Sequence, residues 1–194
     1  MADSIDTRAR LSALLEAGQP DGQPAFDEVF PLVYQELHQM ARRQLAGGWR
    51  QATLDTTGLV HEAYIKLVDD TAVSRHGRAY FFAAAATAMR QVLVDAARRR
   101  SRLKRGGGRA DVTLDEGLIG VDGFAAELLA LDEALIRLAA HYPRQARVVE
   151  CRFFGGLSIE ETSLALEMSD RSVVRDWTMA RAWLYRELEE RSGA

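Results

Sequence analysis

The sequence predicts an all-α protein: two small helical domains joined by a flexible linker, the second carrying a helix-turn-helix. Three observations support this. Apolar residues recur at helical spacing along most of the chain, and strand-like alternation is nearly absent. The triple glycine Gly106 to Gly108 opens a weakly patterned stretch that runs to about Gly123. The segment from Tyr142 to Arg191 holds two helix-start signals separated by a short turn.

The elements follow in order. Helical periodicity covers Ile5 to Leu15 and is broken by a turn-rich stretch from Gly18 to Pro24. It resumes from Ala25 to Leu45, where Gly47 and Gly48 end the helix, and Trp49 to Asp55 reads as a loop. Further helices are expected over Thr57 to Val68, Arg78 to Arg102, Ala126 to Ala140, and from Pro143 onward. The chain therefore divides into an N-terminal helix and turn (1–24), a helical domain (25–105), a linker (106–125) and a helix-turn-helix domain (126–194). No internal repeat is visible.

Ser158, with Glu161 three residues on, forms a capping box that opens a short helix. Ile159, Thr162, Ser163 and Leu166 supply its inward face. A turn through Glu167 and Met168 follows, and Ser169 offers a second N-cap. The next helix should bury Val173, Trp177, Ala180 and Leu184 and expose Asp170, Arg171, Val174, Arg175 and Thr178. A steep helix pair whose second member has a polar N-terminal face fits the DNA major groove.

Bulk properties narrow the classes. At 194 residues and a formal charge of -3, the chain is not a uniformly basic DNA-coating protein, so local patches must supply any nucleic-acid footprint. The single cysteine, Cys151, lies among Val148, Val149, Phe153 and Phe154 and reads as a buried, inert thiol in a reducing cytosol. The opening MADSIDTRARL lacks the apolar core of a secretory signal, and the alanine-rich run from Ala79 to Met89 is too short to span a bilayer. A cytoplasmic protein without membrane association is expected.

The strongest charge feature is AARRRSRLKRGGGR, with Arg98, Arg99, Arg100, Arg102, Lys104, Arg105 and Arg109 and no acid among them. Such a run suits a solvated helix C-terminus. It also follows Tyr80, Phe81, Phe82 and Arg90 on the same helix, and arginines with aromatics suit phosphate contact and stacking on opened strands. Beside a helix-turn-helix, the nucleic-acid reading is favoured. No enzyme motif competes. His61-Glu62 lacks the second histidine of a zinc-protease helix, and His38, His61, His76 and His141 are scattered. The triple glycine lacks the Lys-Ser/Thr of a phosphate loop. Neither a catalytic residue, a metal site nor a cofactor is expected.

A helical domain with VHEAYIKLV, a long helix ending in ARRRSRLKR, a linker and a C-terminal helix-turn-helix together resemble the extracytoplasmic-function sigma factors, from about Phe26 to Leu188. The resemblance implies a bacterial initiation factor that binds core RNA polymerase and promoter DNA. It implies that the helix Leu59 to Val68 docks on polymerase, with Asp55, Val60, Glu62, Ala63, Lys66 and Leu67 at the contact. It places Phe81, Phe82, Arg90, Asp95, Arg98, Arg99 and Arg102 at the minus-10 element. It assigns Asp170, Arg171, Ser172, Val174, Arg175 and Thr178 to the minus-35 element.

Two departures from the family pattern stand out. Glu167 replaces the usual turn glycine, so a left-handed backbone there would cost about 1–2 kcal/mol. An acidic Asp-Ala-Glu-Asp-like string before the polymerase-binding helix becomes Asp55-Thr56-Thr57-Gly58. Thr56 or Thr57 could simply cap the helix. Alternatively, phosphorylation of either one restores the missing charge, and a serine/threonine kinase takes the place of a sequestering anti-sigma factor. Two other functions compete: a stand-alone helix-turn-helix regulator acting without polymerase, and a helical adaptor for which Arg171 and Arg175 are dispensable.

Overall fold

The computed structural model describes residues 26–46, 54–68, 77–105 and 116–192. The helix expected from Ile5 to Leu15, the break at Gly18 to Pro24, and the glycines Gly47, Gly48 and Gly106 to Gly108 lie outside these residues. Seven α-helices and one π-helical turn follow in order, with no strand among the described residues. They are α1 (Phe26–Leu45), α2 (Thr56–Val68), α3 (Gly77–Arg105), α4 (Glu116–His141), α5 (Pro143–Val149), the π turn (Glu150–Phe154), α6 (Ile159–Ala165) and α7 (Asp170–Ser192).

Helix α1 buries Val33, Leu37, Met40 and Ala41, a single face at the i, i+4, i+7, i+8 spacing of an amphipathic helix. Arg42 and Arg43 fall in its last turn, where positive charge suits the exposed carbonyls. Helix α2 buries Leu59, Val60, Ala63 and Leu67 against α1 and α3.

Helix α3 is the central post. From Phe81 to Ala97 it buries side chains on nearly every face, and α1, α2, α4, α6 and the π turn all pack on it. The alanines Ala83, Ala85, Ala86 and Ala88 keep it thin enough for neighbours on several sides.

The sequence placed the start of the fifth helix at Ala126, with a linker before it. In the structure α4 begins at Glu116, so the last ten linker positions are helical. Gly117, Gly120 and Gly123 lower helix propensity by about 1 kcal/mol each relative to alanine. Adding turns to a helix already fixed by packing is nevertheless cheap. Ala125 and Leu128 are buried, and Phe124 packs against the same core.

The helix expected from Pro143 onward is interrupted. Pro143 opens α5 at the first helical position, where its missing N–H is no loss. After Val149 the backbone widens, and the Gly155 N–H reaches the Glu150 carbonyl at 2.9 Å. A Cβ at Gly155 would lie 2.5 Å from the Cys151 carbonyl oxygen and 3.2 Å from the Ala86 Cβ. Only glycine therefore ends the π turn without a clash against its own Cys151 carbonyl, and the missing side chain also lets Ala86 of α3 approach closely.

One hydrophobic core runs through α1–α3 and α4–α7. A buried ionic network crosses the same boundary. Arg90 of α3 pairs with Asp132 of α4, and with Glu150 of the π turn at 2.8 Å. The Thr87 hydroxyl donates to Glu150 at 3.2 Å, and Arg98 reaches Asp132 at 3.2 Å. Asp132 is only 3% exposed and Glu150 only 8%. Gln44 of α1 donates to the Phe154 carbonyl at 2.9 Å, and Arg78 joins Glu36 to Glu161.

Candidate nucleic-acid interface

The helix-turn-helix forms from local signals. The Glu161 N–H donates to the Ser158 hydroxyl oxygen at 3.1 Å, and the Ser158 N–H donates to the Glu161 carboxylate at 2.9 Å. This is the reciprocal capping box. Thr162 is fully buried, and its hydroxyl donates back to the Ser158 carbonyl at 2.7 Å. Ala165 is buried as well, an inward position the sequence reading missed, whereas Ile159, Ser163 and Leu166 are half-buried.

Glu167 takes the left-handed conformation, with φ at 52°. The Met168 N–H then donates to the Ser163 carbonyl at 3.0 Å, the six-to-one bond of a Schellman ending. The turn thus keeps the geometry of a glycine turn without the glycine, at a cost of about 1–2 kcal/mol. Ser169 caps α7, accepting the Ser172 N–H at 3.3 Å.

Helix α7 presents one exposed face. Asp170, Arg171, Val174, Arg175 and Thr178 all lie on it, at spacings of a single helical stripe. Ser172 does not belong to it: it is half-buried, and its hydroxyl pairs with Ser169 at 3.0 Å. On the opposite side Val173, Ala180 and Leu184 are buried, with Trp177 half-buried.

The structure separates the long-helix candidates into two groups. Asp95, Arg98, Arg99 and Arg102 are exposed along the C-terminal half of α3. Phe81 and Phe82, expected at DNA, are core residues packed edge to face with ring centroids 5.3 Å apart. Arg90 is taken up by Asp132 and Glu150. Their aromatic and cationic character made them read as contacts, but the alanine-rich helix around them is surrounded by protein.

Helix α2 divides similarly. Val60, Ala63 and Leu67 are buried, whereas Asp55, Glu62 and Lys66 are exposed beside His61 and Ile65. Asp55 is the cap: its carboxylate accepts the Gly58 N–H at 2.7 Å. The expectation that Thr56 or Thr57 caps this helix is thereby corrected. Asp55 precedes both threonines, and its carboxylate reaches the N3 amide from the N-cap position. Lys66 reaches across to Asp95 of α3 at 3.8 Å, joining residues the sequence assigned to different targets.

A model of the ECF sigma factor family matches residues 8–190. That span takes in both the exposed α7 face and the basic end of α3.

The chain is an ECF sigma factor.

Sigma factors of this family bind core RNA polymerase and promoter DNA, direct promoter recognition, and do no covalent chemistry themselves. Comparison with curated proteins gave no match. Among the described residues of the sigma factor, no helix is long and apolar enough to cross a membrane. Burial pushes the Cys151 thiol up to about 12, which keeps it protonated and inert.

Sequence reasoning missed Asp176. In this sigma factor it is 1% exposed, between the inward positions Val173 and Ala180, and two arginines hold it. Its spacing from both neighbours placed it on the buried face of α7, a signal that was available. Its partner Arg144, a helix away, was not.

Proposed function

We propose that this ECF sigma factor reads the minus-35 element with Asp170, Arg171, Val174, Arg175 and Thr178 of α7. The capped helix-turn-helix with this exposed, arginine-bearing stripe is the observation that carries the reading. Arg98, Arg99 and Arg102 supply the minus-10 surface, and Asp55, Glu62 and Lys66 supply the polymerase-docking surface. Val60, Ala63 and Leu67 act by fixing the shape of α2 rather than by touching polymerase. The protein works in the cytoplasm, beside polymerase.

Activation by phosphorylation of Thr56 or Thr57 completes the proposal, with a serine/threonine kinase in the regulatory place of an anti-sigma factor. Because Asp55 forms the cap, the threonines occupy the first two helical positions, where α2 has no acidic residue. Phosphate at such positions is favoured by the free amides and the helix dipole. An open cleft of about 710 Å³ brings Arg42 and His38 to the same place as Thr56 and Thr57. Arg42 is a natural partner for a phosphate.

Three measurements test this. Arg171→Ala and Arg175→Ala should each reduce promoter-specific transcription, by about 1–3 kcal/mol in binding for a base-reading arginine. Affinity for core polymerase should rise from the unmodified protein to the protein carrying phosphothreonine at position 56 or 57. Full transcription in cells from Thr56→Ala/Thr57→Ala would sink the phosphorylation switch and leave the sigma factor in place.

A further inference from the structure

We infer that Arg144 is a DNA-phosphate contact at the edge of the α7 recognition face, and that Asp176 is the positioning residue holding Arg144 and Arg175 there. This rests on the reading of α7 as the DNA-reading helix.

Arg144 does not belong to the recognition helix. It is the second residue of α5, and nothing in its local sequence marks it as a contact. In three dimensions its guanidinium converges with that of Arg175 on one carboxylate. Arg144 Nε donates to Asp176 Oδ2 at 2.6 Å and its Nη2 to Oδ1 at 3.3 Å. Arg175 Nε donates to Oδ1 at 3.2 Å. Asp176 is 1% exposed, while the two arginine side chains are 60% and 59% exposed. The acid therefore lies beneath two cations that face outward.

The charges of this trio sum to +1, with the excess on the solvent side. Two guanidiniums drawn to one carboxylate repel each other, and an anion between their outer edges relieves that repulsion. Arg175 keeps both terminal nitrogens, and Arg144 one, without a partner among the described residues. Planar forks of N–H donors match a phosphate diester. Anchoring each arginine by its Nε also removes much of the rotamer freedom it would lose on binding DNA, so less affinity is forfeited. Arg175 lies on the exposed stripe with Arg171 and Val174, so its neighbour Arg144 widens that stripe onto a second helix. A purely structural role for the trio would explain why a buried acid is paired. It would not predict any change in how DNA binding depends on salt.

The test uses the full-length chain and a labelled mixed-sequence DNA duplex, with affinity measured across a series of salt concentrations. Losing one phosphate contact lowers the salt slope by about 0.9, which corresponds to about eightfold weaker binding at about 0.1 M salt. Arg144→Gln should show this loss, and Arg144→Lys should restore the slope as a point charge. In an Asp176→Asn background, Arg144→Gln should have a much smaller effect, because the arginine is no longer held. Should Asp176→Asn not fold, Asp176→Glu serves, since the longer acid keeps the charge and displaces the arginines.

If Arg144→Gln binds the duplex as wild type does while Arg171→Ala and Arg175→Ala still reduce promoter-specific transcription, the Arg144 assignment is overturned and the recognition helix stands. An equal Arg144→Gln loss in both backgrounds overturns the positioning role of Asp176. If the wild type does not bind the duplex, this inference fails; the reading of α7 fails separately, and this inference with it, if Arg171→Ala and Arg175→Ala leave promoter-specific transcription unchanged.

Discussion

Glu167 holds a backbone conformation that an L side chain adopts only at a cost, and the turn of the helix-turn-helix depends on it. Its side chain is exposed, so replacement by glycine removes strain without opening a cavity. Glu167→Gly should stabilise the protein by about 1 kcal/mol. For a chain of this size that corresponds to a rise of about 2–4 °C in melting temperature, measurable by circular dichroism. Cys151 gives a second prediction at this scale. The thiol stays protonated in the fold up to about pH 12, whereas the unfolded thiol ionises near its ordinary 9.0. Its contribution to stability is therefore intact below pH 9 and is lost as the pH rises from there toward the folded value. At neutral pH a thiol-alkylating reagent should modify Cys151 only in denaturant. Fast labelling of the native protein would contradict the burial.

The helices differ in how much of each the sequence displayed, and the difference follows the range of the forces involved. The capping box at Ser158 and the serine cap at Ser169 act within three residues, and both were legible. Ser158→Ala should cost about 1 kcal/mol of stability, read from urea denaturation, and it should loosen α6 rather than α7. The exposed stripe of α7 was legible for the same reason, since periodicity alone places Arg171, Val174 and Arg175 on one side. The start of α4 at Glu116 was hidden by three glycines whose local propensity is overruled by packing further along the helix. The π turn depends on a close approach between Gly155 and Ala86, a contact between elements far apart in sequence. The buried acids were the hardest to read. Arg90 finds Asp132 and Glu150 across 42 and 60 residues, and nothing local announces those partners.

At the scale of the whole molecule, two kinds of ion pair have different expected weights. The Arg90 network is buried, so removing the arginine leaves two carboxylates without their main partner. Arg90→Ala should destabilise by about 3–5 kcal/mol in urea denaturation, with little dependence on salt. The Lys66–Asp95 pair is about half exposed on both sides, so solvent screens it. Lys66→Ala should shift stability by less than about 1 kcal/mol. If Lys66 serves polymerase docking, the same substitution should still weaken binding to core polymerase, separating the two roles in one variant. A large stability loss from Lys66→Ala would assign the residue to the fold instead.

Gly155 gives a mechanical handle on the molecule. A Cβ there would lie 2.5 Å from the Cys151 carbonyl oxygen of the turn itself and 3.2 Å from the Ala86 methyl of α3. Position 155 has an ordinary right-handed backbone, so a valine would meet no conformational penalty, only a shortage of room. Gly155→Val would act as a wedge, pressing on the Cys151 carbonyl of the turn and on Ala86 of α3 at once. It would force the two halves apart while leaving the stripe on α7 and the arginines at the end of α3 chemically untouched. Small-angle scattering should report a more extended particle.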